Sequence, residues 1–190
     1  MQRRIGLTGS IASGKSSVGK LLEARGWPVL DADHFARQLL EPGTVSTQAV
    51  LQRHPSVRRE HNSIDRAALG QIVFAAASER EWLNGLIHPQ VRRCFERSLG
   101  EHEDAPTIVL MIPLLFEAEL TDLCSEIWLV DCDEEQQLER LMLRNELTRD
   151  DAQARIAAQW PLSQKRELAD VLIDNRGTER DLEKQLQLLS

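Results

Sequence analysis

Five short apolar runs punctuate the chain: Arg4-Ile5-Gly6-Leu7-Thr8, Val29-Leu30-Asp31, Ile108-Val109-Leu110-Met111-Ile112, Ile127-Trp128-Leu129-Val130-Asp131 and Val171-Leu172-Ile173-Asp174. They are nearly continuous rather than alternating, as strands covered on both faces are. Stretches of helical periodicity separate them, which predicts an α/β fold, a parallel sheet of about five strands between two helical layers. Two insertions interrupt this alternation. The first, 35–106, is too long for a simple crossover and must hold structure of its own. Its pattern predicts helices over 66–77, 79–86 and 90–99, with His88-Pro89 opening the last and Pro89 in a first-turn position. The second is charged and predicts a helical hairpin, 134–146 and 149–160, with Asp133/Gln136 and Thr148/Asp151 spaced as helix-start capping boxes. The expected organisation is a core from 1–34, 106–133 and 168–190, a helical lobe over 35–105 and a hairpin over 134–167.

Chemistry concentrates where the first strand meets the helix after it. Gly9-Ser10-Ile11-Ala12-Ser13-Gly14-Lys15-Ser16 fits G-x-x-x-x-G-K-[ST], the loop that cradles nucleotide phosphates. Strand, glycine loop and helix in that order present backbone N–H groups and a helix N-terminus to an anion. Lys15 is expected to reach the β- and γ-phosphates, and the Ser16 hydroxyl to bind Mg²⁺. The plainer alternative, a Gly/Ser turn before an ordinary helix, does not explain the flanking strand and helix.

Ligands of open α/β sheets sit beyond the carboxyl ends of the strands. The second strand ends in Asp31-Ala32-Asp33. A carboxylate there suits a base for an attacking hydroxyl or a member of a metal's shell. Asp33 could instead cap a helix over 34–40. Alternation turns Asp31 to the opposite side. The third strand ends in Ile112-Pro113, without the magnesium-binding Asp that a motor ATPase or signalling GTPase places there. A small-molecule kinase tolerates that gap, with Ser16, Asp33 and substrate oxygens sharing the metal. Arg140 and Arg144 lie one helical turn apart, hence on one face, and could clamp phosphates if the hairpin folds over ATP. A solvated face is the plainer account of such a pair. Asp174-Asn175-Arg176-Gly177 is either a plain turn or a loop beside the adenine.

Composition narrows the class without changing this picture. With 190 residues, 42% hydrophobic and 28% charged, the chain suits a single sizeable core. A net charge of −7 argues against a nucleic-acid partner. No apolar run nears the ~20 residues of a membrane span, and the start at Arg3-Arg4 leaves no room for a cleavable signal before the first strand. Cys94, Cys124 and Cys132 lack C-x-x-C spacing and read as core thiols of a cytoplasmic protein.

Taken together, the motifs resemble those of the dephospho-coenzyme A kinase family, nearly end to end. The similarity rests on Gly6 to Ser16 in the opening loop, Asp31-Ala32-Asp33, Ala36-Arg37 and Glu41-Pro42-Gly43. It continues through Leu86-Ile87-His88-Pro89, Pro113-Leu114-Leu115-Phe116-Glu117 and Asp170-Val171-Leu172-Ile173-Asp174-Asn175. Ser10 departs from the family's usual Gly and Ser17 from its usual Thr, and neither touches Lys15, Asp33 or Arg140. The resemblance implies a P-loop NTPase core of adenylate-kinase-like type, a helical domain over 35–105 for the coenzyme A portion and a lid over 134–167. It implies transfer of a phosphoryl group from ATP, with Mg²⁺, to the 3′-hydroxyl of dephospho-coenzyme A.

By position, the resemblance assigns Gly9, Ala12, Ser13, Gly14, Lys15, Ser16 and Ser17 to the ATP phosphates, and Arg140, with Arg144 beside it, to the lid's hold on them. Asn175 falls near the adenine, Asp33 becomes the base, and Leu114 and Leu115 line the substrate channel, although core packing explains such leucines equally well. A cytoplasmic monomer acting on a small molecule, with neither nucleic acid nor membrane as partner, is the expectation. Two other readings compete. A kinase of a bare nucleoside or small alcohol does not need so large a helical lobe. A GTP-dependent switch needs an Asn-Lys-x-Asp motif, which the chain lacks.

Overall fold

A computed structural model describes residues 2–189. In chain order the elements are β1 (Arg3–Thr8), α1 (Lys15–Glu23), β2 (Val29–Asp31), α2 (Ala32–Leu39), α3 (Val45–Arg53), α4 (Arg66–Ala75) and α5 (Ala77–Glu101). They continue with β3 (Thr107–Met111), β4 (Glu126–Asp131), α6 (Glu134–Asn145), α7 (Arg149–Ala157), α8 (Leu162–Leu168), β5 (Val171–Asp174) and α9 (Glu179–Leu189). The chain divides into two compact units, one running to Asp31 and resuming at Gly100, the other Ala32–Leu99.

The first unit is built on one parallel sheet of five strands, ordered β2-β3-β1-β4-β5. The apolar runs become its strands because helices cover both faces. On one face Ile5, Leu7, Val109, Met111, Trp128, Val130 and Ile173 pack with Val18 and Leu22 of α1 and Leu182 and Leu186 of α9. Both helices contribute residues four apart, the stripe that a helix lays on a sheet. On the other face Leu129, Cys132 and Leu162 of α8 form a smaller cluster. The central position of β1 places the loop at its carboxyl end between β3 and β4. Burial pushes the Cys124 thiol up to about 12 and raises that of Cys132, so both stay protonated and unreactive.

The second unit is helical around Val50, Leu51, Val57, Ile64 and Leu69, with Trp82, Leu83 and Leu86 of α5 packed on them. Thr44 caps α3 by accepting the Thr47 N–H, and Asp65 caps α4 by accepting those of Ala67 and Ala68. Here one expectation fails. Pro89 does not open a helix but lies inside the continuous 25-residue α5. Proline removes one helical hydrogen bond and crowds the carbonyl four residues back. That residue is Gly85; the next carbonyl, of Leu86, accepts from the side chain of Gln90 at 2.8 Å. Ile87, Val91, Phe95 and Leu99, spaced by four, are all buried, so one packed stripe runs through the proline. Phe95 also meets Phe35 edge-on, centroids 5.1 Å apart. Among the described residues no helix is long and apolar enough to cross a membrane.

Candidate active site

The loop between β1 and α1 folds tightly because two glycines leave it room. A side chain on Gly9 would begin 2.5 Å from Ser13 Oγ and 3.0 Å from the Val130 carbonyl oxygen. Gly14 has φ +95°, and a Cβ there would lie 1.9 Å from Nδ2 of Asn175. Asn175 is therefore no plain turn residue. Its amide nitrogen donates to the Ser13 carbonyl at 2.7 Å, and its backbone N–H donates to the Asp131 carbonyl at 2.8 Å. The tip of β5 thus braces the loop at the point where α1 begins.

α1 starts without a side-chain cap and without an acid in its first turn. α6, α7 and α9 each carry two acids there, whereas α3, α4 and α8 carry none, so what sets α1 apart is the glycine loop before it. A helix that leaves its positive end uncompensated next to a glycine loop suits a bound anion. The Ser13 hydroxyl is buried without a hydrogen-bond partner, Lys15 is partly exposed, and Ser16 and Ser17 are exposed at the helix start. These polar groups fit the triphosphate of a nucleotide. No group of three or more His, Cys, Asp or Glu residues among those described could hold a metal. Mg²⁺ suits such a site only if it shares its shell with phosphate oxygens and the exposed Ser16 hydroxyl.

The hairpin arginines part company. Arg140 donates through Nη2 to the Asn175 carbonyl at 3.0 Å, while its Nη1 is buried without a partner. Arg144, exposed, bonds its neighbour Asn145 instead. Helical spacing gave them a common face, but only Arg140 reaches the brace of the phosphate loop. Nearby, the Asp131 carboxylate is 4% exposed and accepts from Arg166 at 2.8 and 3.0 Å and from Arg176 at 2.9 Å. Those hydrogen bonds raise both guanidinium pKa values, fixing two cations at the end of β4. Arg176 also lies 3.1 Å from Asp133, which is why the Asp133/Gln136 capping box does not form. The box at Thr148/Asp151 does form, with Thr148 accepting the Asp151 N–H.

Asp33 belongs to the helical unit. α2 begins at Ala32, directly after β2, so Asp33 is an exposed first-turn residue and not the helix cap. Leu114 is partly exposed, whereas Leu115 is fully buried and packs toward Gly6. Two side chains that the sequence did not single out touch the phosphate loop directly. Gln137 donates to the Ile11 carbonyl at 2.8 Å, and Gln159 accepts the Ile11 N–H at 2.9 Å. The one signal for Gln137 is a polar residue beside Leu138 and four before Leu141 on the buried side of α6.

Gly14→Ala is expected to damage this site specifically. The left-handed backbone alone costs a residue with a side chain about 1–2 kcal/mol, and the methyl group also displaces Asn175. Calorimetric titration with ADP should show affinity reduced at least about tenfold, the equivalent of ~1.4 kcal/mol. Undiminished affinity would mean that the brace between Asn175 and the loop has no part in binding.

The chain matches known proteins over nearly its whole length. The family model described as dephospho-CoA kinase matches residues 3–181. The chain is similar to a dephospho-CoA kinase of Synechococcus sp. (strain CC9605), 63% identical over 178 residues, covering 93% of this chain and 86% of that protein. Among solved structures it is similar to a Thermus thermophilus protein at 35% identity and TM-score 0.84, covering 99% of this chain and 96% of that one. A dephospho-CoA kinase from Campylobacter jejuni superposes with TM-score 0.71 at 25% identity, covering 100% and 98% of the two chains.

Proposed function

The chain belongs to the dephospho-CoA kinase family, and from that premise we propose the division of labour within its site. The enzyme transfers the γ-phosphoryl group of ATP to the ribose 3′-hydroxyl of dephospho-coenzyme A, giving coenzyme A and ADP in the last step of coenzyme A synthesis. The observation that carries the nucleotide half is the braced phosphate loop, with Gly14 left-handed against Asn175 and α1 uncapped behind it.

Phosphoryl transfer passes through a loose transition state, so the protein acts by positioning and by electrostatics. Backbone groups from Gly9 to Ser17 hold the β- and γ-phosphates, and Lys15 neutralises charge as it shifts toward the leaving oxygen. Arg140 adds a second cation from α6, with Arg144 as an outer contact. Asn175 sits near the adenine while its amide braces Ser13. Asp33 orients the acceptor hydroxyl and takes its proton. Ser16 and Asp33 are the side chains for Mg²⁺, which when bound supplies neutralisation of the phosphate oxygens. Residues 35–105 form the domain for the coenzyme A portion, with Leu114 lining the channel and Leu115 supporting it from the core; 134–167 form the lid. The enzyme works as a cytoplasmic monomer.

A kinase that needs only a compact nucleoside pocket has no use for a four-helix unit inserted between β2 and β3. Contacts remote from the reacting atoms convert into rate by placing the hydroxyl. Dephospho-coenzyme A, adenosine and an analogue lacking the pantetheine arm should therefore be compared, each with Mg²⁺ and ATP. The full substrate should give the highest kcat/KM by at least about tenfold, a ~1.4 kcal/mol difference. Equal efficiency with adenosine would replace this assignment with a nucleoside kinase.

A further inference from the structure

The phosphate loop is gripped from outside its own motif. Ile11 uses both backbone groups on glutamine side chains from the hairpin: its carbonyl accepts from Gln137 Nε2 at 2.8 Å and its N–H donates to Gln159 Oε1 at 2.9 Å. Gln137 is 1% exposed, so its amide is committed to this contact. The next residue, Ala12, holds φ +60°, a left-handed conformation that an alanine does not adopt without support. Ile11 and Ala12 also pack on Leu138, Leu141 and Ala152, so apolar contact and the two amides converge on one residue.

Gln159 is itself anchored. The N–H of the adjacent Trp160 donates to Glu117 Oε1 at 3.1 Å, and the same oxygen lies 2.7 Å from Nζ of Lys165, which is fully buried. The Trp160 ring stacks on Phe116, centroids 6.2 Å apart and planes 5° from parallel. A buried ion pair with one partner fixed by a backbone N–H is costly to displace. It pins the connector between α7 and α8 at the residue after Gln159.

We propose that Gln137 and Gln159 are positioning residues: they clasp the backbone of Ile11 from both sides so that the loop from Ala12 to Ser16 is already shaped for nucleotide phosphates, coupling the lid segment to the loop. The clasp presupposes the assignment of this loop to ATP. Neither glutamine touches substrate; both act through the loop, and preorganising a site lowers the ordering cost of binding.

Gln137→Met and Gln159→Met keep side-chain length while removing the polar atoms. Affinity for ADP with Mg²⁺, measured by calorimetry, should fall about tenfold in each, as for one lost hydrogen bond to an ordered group. KM for ATP should rise in parallel, KM for dephospho-coenzyme A should stay within about twofold, and kcat should change less than KM for ATP. The double variant should lose far less than the product of the two, because both contacts order the same residue. A lower melting temperature with unchanged ADP affinity would make the glutamines merely structural and overturn the proposal, as would a strictly multiplicative double variant. Gln159 is only half-buried, so its variant decides the matter even if the Gln137 variant does not fold. If the unsubstituted enzyme binds no ADP, the assignment of the loop falls together with the clasp. If it binds ADP and the variants bind equally well, only the clasp falls.

Discussion

Replacing Lys15 with alanine is expected to lower turnover by roughly 10²–10³-fold, the loss typical when a preorganised electrostatic contact to developing charge is removed. Lys15 is the first residue of α1, immediately after the left-handed Gly14, so helix and loop together set where its ammonium group lies. Negative charge migrates toward the β–γ bridging oxygen during transfer, and a fixed cation there counts for more where water is excluded. Lys15 is absent from the buried core, so its loss should leave the sheet and its two helical layers intact. Steady-state turnover and a thermal melt, measured side by side, separate the two effects. A variant with near-normal turnover would remove the phosphate loop from the mechanism.

The parts of this architecture legible in the sequence are those whose cause is local or repeats along the chain. Ile108 to Met111 read as a strand because burial on both faces makes every position apolar. The glycine loop was legible because Gly9 and Gly14 answer to steric demands that no other residue meets. What was hidden depends on partners distant in sequence. Helix-stop rules place a break at Pro89, but the buried series from Ile87 to Leu99 overrides them by tertiary packing. Asp133 satisfies the capping pattern, yet Arg176, brought close by the turn after β5, competes for its carboxylate. Gln137 and Gln159 carry neither charge nor motif, and their partner Ile11 lies 126 and 148 residues away. Arg140 and Arg144 show the limit of periodicity. It gives a shared face, while the partner, the Asn175 carbonyl for one and Asn145 for the other, comes from the fold.

Asp33→Asn is the second substitution with a large expected effect, and the structure sharpens how it should be judged. The sequence allowed two roles for this carboxylate, base or helix cap. With α2 beginning at Ala32, the side chain stands inside the first turn, where its charge favours the helix dipole. Loss of such a first-turn charge costs about 0.3–1 kcal/mol, which lowers the melting temperature of a protein this size by no more than ~4 °C. Loss of a general base costs far more, about 10²–10⁴-fold in rate. Asparagine retains the size and can still orient a hydroxyl by hydrogen bonding, but it cannot accept the proton. Turnover should therefore fall by at least about a hundredfold, while affinity for ADP without Mg²⁺ stays close to that of the unsubstituted enzyme and the melt shifts by only a few degrees. Weaker affinity for ADP in the presence of Mg²⁺ would report the share of Asp33 in the metal's shell, whereas the loss of turnover at saturating Mg²⁺ and nucleotide reports the base. Full turnover with a lowered melting temperature would leave the carboxylate only its part in the helix, and the base would have to be sought elsewhere.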